Sequence, residues 1–353
     1  MPKPDQAFYD SVLQRGFARF PERHANYKRC LASSRSETVE YLPIKLDIES
    51  LSRCNYRCTM CQVSDWPKMT RAADMSYDDF VRLIESQTGL IEIKLQGMGE
   101  PLLSADDFFR MVRFARDRDL WVRATTNGSL LHLKENYKKL IDTDICELQV
   151  SIDGATAATY ETIRRGGKFK RVAINCDKLN AYARDVGRNR TRMWVVVQKG
   201  NFHELGLFPD LAARLGFSRL TFSLDLNDWG QDRWRQTNDQ ADVQRSFDPA
   251  RASALIERGR TLGVDVTFWY IDQKYDTRDK TKLCPWPFER AYISSDMRVV
   301  PCCMVANPEI ADLGDARSFT EVWNGETMRS FRRRHIEGQI PVICRTCYKS
   351  RNE

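Results

Sequence analysis

Three cysteines, Cys54, Cys58 and Cys61, stand in one short run, Cys54-Asn55-Tyr56-Arg57-Cys58-Thr59-Met60-Cys61. At this C-x3-C-x2-C spacing a single loop can wrap three thiolates around three corners of a cubane cluster, whose irons take cysteine as their protein ligand. Three ligands leave one iron open to another molecule. A zinc site or coincident thiols is the competing reading, since three close cysteines are not decisive alone. A second set, Cys284, Cys302, Cys303, Cys344 and Cys347, crowds the C-terminal end, with Cys344 and Cys347 in a C-x2-C step. Four thiolates would close one metal centre completely, and on residue type alone a zinc ribbon and a fully ligated cluster are equally good readings. Cys30, Cys146 and Cys176 have no partner spacing and read as core packing.

The whole chain narrows the chemistry. Its 353 residues, 42% hydrophobic and 29% charged, suffice for one large domain or a large and a small one. No run of about 18 apolar residues occurs, and the N-terminal MPKPDQAFYDSVLQRGF lacks an export signal's apolar core. A cytoplasmic location is therefore expected, and eleven cysteines without an export signal argue for metal or redox chemistry over disulfides. The net charge of +7 is spread along the chain, densest at Arg329, Arg332, Arg333 and Arg334. That stretch reads as a solvated helix face, so neither nucleic acid nor membrane is expected as a partner. His24, His132, His203 and His335 are scattered without ligand spacing.

The elements that must position these residues follow a regular alternation. From about residue 44 to 226, six β-type runs (44–49, 92–97, 121–127, 146–153, 192–198 and 219–226) alternate with amphipathic helical ones. The fold class expected is α/β, a partial (β/α)6 TIM-like barrel. The cysteine loop follows the first strand, at the end where such barrels carry their sites. Ser76 with Asp79, and Ser104 with Asp107, read as capping boxes opening two outer helices. Beyond Leu226 a polar segment reads as a long loop before a helix near 248–262, followed by a β-rich stretch at 264–273. Trp229, Trp234 and Trp269 are candidates to stack on sugar rings. The divisions expected are a helical extension over 1–40, the barrel over 41–274 and a cysteine-rich domain over 275–353.

The second strand closes on Gln96-Gly97-Met98-Gly99-Glu100-Pro101. With the cysteine loop after the first strand, this resembles the radical S-adenosylmethionine (SAM) superfamily. The resemblance implies that the amino and carboxylate groups of SAM chelate the open iron, and that an electron from the cluster breaks the sulfonium C–S bond to release a 5′-deoxyadenosyl radical. The family's second-strand motif is typically GGEP; here Met98, Gly99, Glu100 and Pro101 occupy it, and Met98 departs from the first glycine. Such a position works through its main chain, and Glu100, the partner of the SAM amino group, is kept. The resemblance also implies SAM contacts from Thr126, Asn127, Ser151, Asp153 and Gln198 at strand ends, and a fork from Arg164 or Arg165 to the SAM carboxylate.

The C-terminal text CPWPFERAYISSDMRVVPCC, the turn at Gly314 and Asp315, and SFTEVWNG before C-x2-C resemble the SPASM/twitch extension of that superfamily. The later cysteines of a full SPASM domain are not supplied, so the resemblance is to the twitch form with one auxiliary cluster. It implies Cys284, Cys302, Cys344 and Cys347 as ligands, with Met297 standing in the family's glycine slot five positions before Cys302. Two [4Fe-4S] clusters, SAM and a flavodoxin or ferredoxin-type electron donor are then expected. Cys303 is a spare thiol, either a buried spacer or the hydrogen-atom donor an epimerase needs. The favoured substrate is a small polar metabolite, sugar or aminoglycoside-like, undergoing dehydrogenation or epimerisation. The alternatives are a radical maturase of a ribosomally made peptide and a non-enzymatic zinc or iron-sulfur scaffold.

Overall fold

The computed structural model describes residues 4–269 and 274–349. The parallel strands are β1 (Lys45–Ile48), β2 (Glu92–Leu95), β3 (Trp121–Thr126), β4 (Glu147–Ser151), β5 (Thr191–Val196), β6 (Arg219–Ser223) and β7 (Asp265–Trp269). From the C-terminal segment come β8 (Arg290–Ile293), β9 (Arg298–Val300) and β10 (Gly314–Asp315). They form one sheet in the order β10-β9-β8-β1-β2-β3-β4-β5-β6-β7. The six expected strands are present, lengthened by β7 beyond β6 and by β8 beside β1. Strand β8 runs parallel along the whole of β1, from Lys45 opposite Arg290 to Ile48 opposite Ile293, so the sheet continues across residue 275. Of the expected β stretch at 264–273, the part beyond Trp269 lies outside the described residues.

Every barrel strand is apolar at alternate positions. Leu46, Ile48, Ile93, Leu95, Val122, Ala124, Leu148, Val150, Met193, Val195, Leu220 and Phe222 all belong to one buried cluster shared with the outer helices. The intervening positions are mostly polar, Trp121, Trp194, Val196 and Trp269 excepted, which is unusual for a parallel sheet, normally apolar on both faces. At the amino ends they form a charged floor. Lys45 Nζ lies 2.7 Å from Glu92, Arg123 pairs with the same carboxylate, and Arg192 reaches Glu147 at 3.4 Å. Helix α1 (Gln6–Arg19), joined directly to α2 (Pro21–Ala32), covers this floor, with Phe8 and Tyr9 packed on Trp121. The barrel interior is thus plugged below and open only at the carboxyl ends of its strands.

Several local expectations are met and others change. Ser76 caps α3 (Tyr77–Ser86) by accepting from Asp79 N. Ser104 makes no such cap for α4 (Ala105–Arg116), because it closes a 3-10 turn begun at Pro101 in which Glu100, one element earlier, accepts from Leu102 N. Outer helices α5 (Asn136–Asp142), α6 (Ala157–Ile163), α7 (Phe169–Asp185) and α8 (Phe208–Arg214) complete the layer. The polar segment after Leu226 is not a long loop. It holds α9 (Asp232–Ala241), anchored by the i, i+4 pair Trp234 and Asn238, both buried, and α10 (Pro249–Thr261) follows. Its single inward stripe was too thin to show through a polar sequence, and it removes Trp234 from any substrate surface. The C-terminal helices are α11 (Trp286–Glu289), α12 (Phe319–Trp323) and α13 (Glu326–Ile336). The arginine stretch on α13 is only partly a solvated face, since Arg332 is fully buried and donates to the carbonyls of Pro287 and Glu37.

Candidate active site

The open end of the barrel holds a cavity of about 280 Å³. Its wall carries Cys54, Cys58, Cys61 and Glu100 together with residues from the ends of β1 to β7. The cysteine loop is pinned at both ends. Arg57 and Cys58 pair antiparallel with Arg165 and Arg164, Cys54 N donates to Met69 O, and Glu100 N donates to Arg53 O. Burial pushes all three thiols up, Cys54 to about 12, so without a metal they are protonated and a bound metal is what would draw out the thiolates. Among the described residues no three His, Cys, Asp or Glu side chains converge on the space of a single ion. The three thiols instead border an open cavity, an arrangement that fits a multinuclear cluster held at its corners with one corner facing inward.

Glu100 sits behind that corner. Its Oε1 accepts from Thr126 Oγ1 at 2.6 Å and Leu102 N at 3.2 Å, and its Oε2 accepts from Asn127 N at 2.7 Å. Burial raises its carboxyl to about 7 against these three donors, so an ammonium group brought alongside would hold it ionised. Met98 is not among the residues of positive φ, so its departure from glycine carries no backbone cost. Its N–H donates to Glu49 Oε1 at 2.9 Å. The glycines that matter are its neighbours: a Cβ on Gly97 would lie 2.2 Å from the Glu49 side chain, and one on Gly99 2.5 Å from the carbonyls of Leu51 and Arg53. Glu49 is a residue that sequence reasoning missed. Fully buried, it also accepts from Ser295 N at 3.1 Å and meets Arg71, which pairs with Asp296 at 2.7 Å. It thereby ties the cysteine loop to the β8–β9 turn; the signal available was an acid closing an otherwise apolar strand end.

The other strand-end residues divide. Thr126, Asn127, Ser151 and Arg164 reach the cavity wall, whereas Asp153, Gln198 and Arg165 do not. Asp153 lies behind Arg164, with Oδ2 2.7 Å from Nη2 and Oδ1 accepting from Val196 N at 2.8 Å. Arg164 keeps a buried Nε with no hydrogen-bond partner among the described residues, a donor left over for a ligand. Arg165 is exposed and donates to Arg57 O, so of the two arginines only Arg164 faces the cavity. Gln198 is buried below the rim, its N–H donating to Asn201 and its amide reaching only the Met60 sulfur at 4.0 Å. Trp229 and Trp269 do line the cavity.

In the C-terminal set, the thiols whose charges reach Cys302 include Cys284, Cys344 and Cys347. Cys303 is on the cavity wall, and the charged groups that reach it are Asp47, Lys94, Arg290 and Asp225. Only the second of the two adjacent cysteines lines the cavity; the chain turns at this point, with Val305 N and Ala306 N both donating to Cys302 O. Met297 has φ +62°, so methionine adopts the left-handed conformation that favours glycine in that slot. Burial pushes Cys284 to about 12 and Cys347 to about 11. Cys284 N donates to the Tyr348 hydroxyl, which is 2.8 Å from His335 Nδ1.

Residues 48–205 match the pattern of the radical SAM superfamily, and residues 284–348 that of an iron-sulfur cluster-binding domain of the SPASM type. The chain belongs to the radical SAM superfamily. Among curated relatives of this radical SAM enzyme, the mycofactocin maturase MftC of Mycolicibacterium smegmatis is 29% identical over 58% of this chain and 50% of its own length. The cofactor-modifying protein for the tungsten-containing aldehyde ferredoxin oxidoreductase of Pyrococcus furiosus is 31% identical over 48% of this chain and 47% of its own. The chain therefore spans about half the length of these relatives. Streptococcus suis SuiB bound to its precursor peptide SuiA shares the fold, with a TM-score of 0.63 at 14% identity, covering 88% of this chain and 69% of SuiB. The two domains imply SAM and [4Fe-4S] clusters as cofactors. No helix among the described residues is long and apolar enough to cross a membrane.

Proposed function

We propose that this radical SAM enzyme takes a hydrogen atom from a carbon of a ribosomally made peptide, one side chain of which enters the barrel. The observation that carries the reading is that three thiols and Glu100 line one cavity, whose other lining residues, among them Trp194, Trp229, Trp269 and Tyr292, leave room for a substrate group. When bound there, the cluster and SAM supply a primary carbon radical by reductive C–S cleavage. Cys54, Cys58 and Cys61 would hold the cluster. Glu100 would receive the ammonium of SAM and Arg164 Nε would donate to the SAM carboxylate, while Thr126 and Asn127 hold Glu100 in place. Asp153 keeps Arg164 charged and oriented, while the floor around Glu92 and Arg123 keeps water from entering below. Cys284, Cys302, Cys344 and Cys347 would ligate a single second cluster.

The peptide takes precedence over the sugar or aminoglycoside-like metabolite expected from sequence, because the matched proteins include a maturase and a fold relative bound to a precursor peptide. Cys303, which faces the cavity, is the donor that returns a hydrogen atom to the substrate carbon from the other side. Its S–H bond breaks as the new C–H bond forms, and the resulting sulfur radical is restored to the thiol by one electron from a ferredoxin or flavodoxin-class donor and one proton from water. The product is the inverted residue.

Anaerobic reconstitution with iron and sulfide counts, electron paramagnetic resonance and dithionite-driven SAM cleavage tests the core of this reading. About eight irons per chain are expected for two cubanes, and Cys54→Ala abolishes 5′-deoxyadenosine formation while Cys347→Ala keeps part of it. A colourless, zinc-loaded protein, or full cleavage by Cys54→Ala, refutes it. Incubation in deuterated water with precursor peptides encoded beside the gene tests the outcome: deuterium at the inverted carbon, lost with Cys303→Ala, is expected, and unlabelled product excludes the thiol.

A further inference from the structure

The acids on the cavity wall differ in what surrounds them. Glu100 takes three donors, and Asp47 on β1, opposite Lys94 on β2 in register, lies in the field of Lys94, Arg123 and Arg290. Asp225 has no such cation among the described residues. It lies just past the end of β6, half-buried on the cavity wall, and among the described residues its carboxylate has neither a hydrogen bond nor an ion pair. The ionisable groups that act on it are two further acids, Asp228 and Asp242. Asp228 is engaged by Arg235 at 3.3 Å and Asp242 by Gln244 N at 2.6 Å, so both already have partners of their own. A partly dehydrated carboxylate with no partner favours a cation beside it.

Aromatic side chains share the cavity with it. Trp269 on β7 is opposite Ser223, one inward position below Asp225, and the Leu224 N–H donates to Trp269 O at 2.8 Å. Trp194 on β5 meets Trp269 edge to face, with centroids 5.5 Å apart, and both indoles line the cavity. A carboxylate next to indole rings selects an ammonium or guanidinium over a neutral polar group. We infer that the substrate group entering the barrel is a cation, an amine or guanidinium such as a lysyl or arginyl side chain, held by Asp225 against Trp194 and Trp269. This rests on the proposed reading of the cavity as the substrate chamber. Asp225 and Cys303 line the same cavity, so a cation anchored at the one shares the chamber with the other.

The test is calorimetric titration of the reconstituted, SAM-loaded enzyme with butylguanidinium and butylamine, against the neutral analogues butylurea and butanol. Both cations are expected to bind at least tenfold more tightly than their analogues. Asp225→Asn, checked for unchanged iron content, removes that preference, whereas Asp47→Asn shifts the affinities less than twofold. Equal binding of butylurea and butylguanidinium, no binding of either cation, an Asp225→Asn protein that keeps the preference, or an equal loss in Asp47→Asn overturns the inference. The comparison of probes on the unaltered enzyme stands even where a variant fails to fold. SAM cleavage by the same preparation separates the two ideas: cleavage without cation preference sinks only the substrate assignment, and cation binding without cleavage sinks the radical reading.

Discussion

Replacing Asp153 by asparagine isolates what holds Arg164 at the cavity wall. The pair is buried on both sides, with side-chain exposures of 0% for Asp153 and 9% for Arg164, and its atoms are 2.7 Å apart. The amide would keep the shape and the contact to Val196 N but leave a guanidinium buried without its counter-charge. Breaking such a pair from one side costs about 3–5 kcal/mol. With an unfolding entropy of about 2.1 cal/mol/K per residue, a chain of 353 residues loses about 4–7 °C of Tm for that cost. The assay is a thermal melt of the reconstituted protein together with SAM affinity by equilibrium dialysis. Arg164→Met should melt low as well, and the double change Asp153→Asn with Arg164→Met should recover part of the loss, since no lone charge remains. SAM affinity stays weak in both proteins lacking Arg164, because the unpartnered Nε is gone. An Asp153→Asn protein melting within about 1 °C of the parent would refute the reasoning, since the cost worked out above is several times larger, and undiminished SAM affinity in Arg164→Met would remove Arg164 from the SAM site.

Gly99→Ala would put a methyl 2.5 Å from two backbone carbonyls of the cysteine loop, so the loop must shift; iron content should fall by about half, with the C-terminal site retained, and a full complement would show that the loop gives way freely. His335 is buried beside Tyr348, and burial lowers it from 6.5 to about 4. The unfolded chain therefore binds a proton that the folded one refuses as pH falls from 6.5 to 4, and about 3 kcal/mol of stability should drain away across that window and no further below it. Urea melts at pH 7, 5.5 and 4.5 check this, with His335→Gln showing a weaker slope; equal slopes would exclude His335 as the source. Met297→Gly relieves a left-handed methionine, worth about 1 kcal/mol, but forfeits a buried side chain worth about 1.5–3 kcal/mol. A net loss of about 1 kcal/mol is expected in denaturant melts, and a clear gain in stability would show that the methionine packs poorly.

By itself the sequence determined the features whose physics is local. Cluster ligation needs thiolates a few residues apart, so C-x3-C-x2-C and C-x2-C were legible, as were the strand-end glycines and Glu100 that follow them. The six inner strands were legible too, because most alternate apolar and polar residues and β5 carries a short β-branched run, and the glycine slot occupied by Met297 proved to have glycine's backbone. What the tertiary structure alone decided concerns partners distant in the chain. Adjacent arginines at 164 and 165 are indistinguishable until the pairing of residues 57–58 with 164–165 turns one inward to Asp153 and the other to solvent. Cys302 and Cys303 are told apart only by the turn that follows β9, where Cys302 has Cys284, Cys344 and Cys347 among its neighbouring thiols and Cys303 lines the cavity. Glu49, the charged floor and the unmatched Asp225 belong to the same class. A charge's meaning is set by what lies across the strand from it, and register, not spacing along the chain, supplies that neighbour.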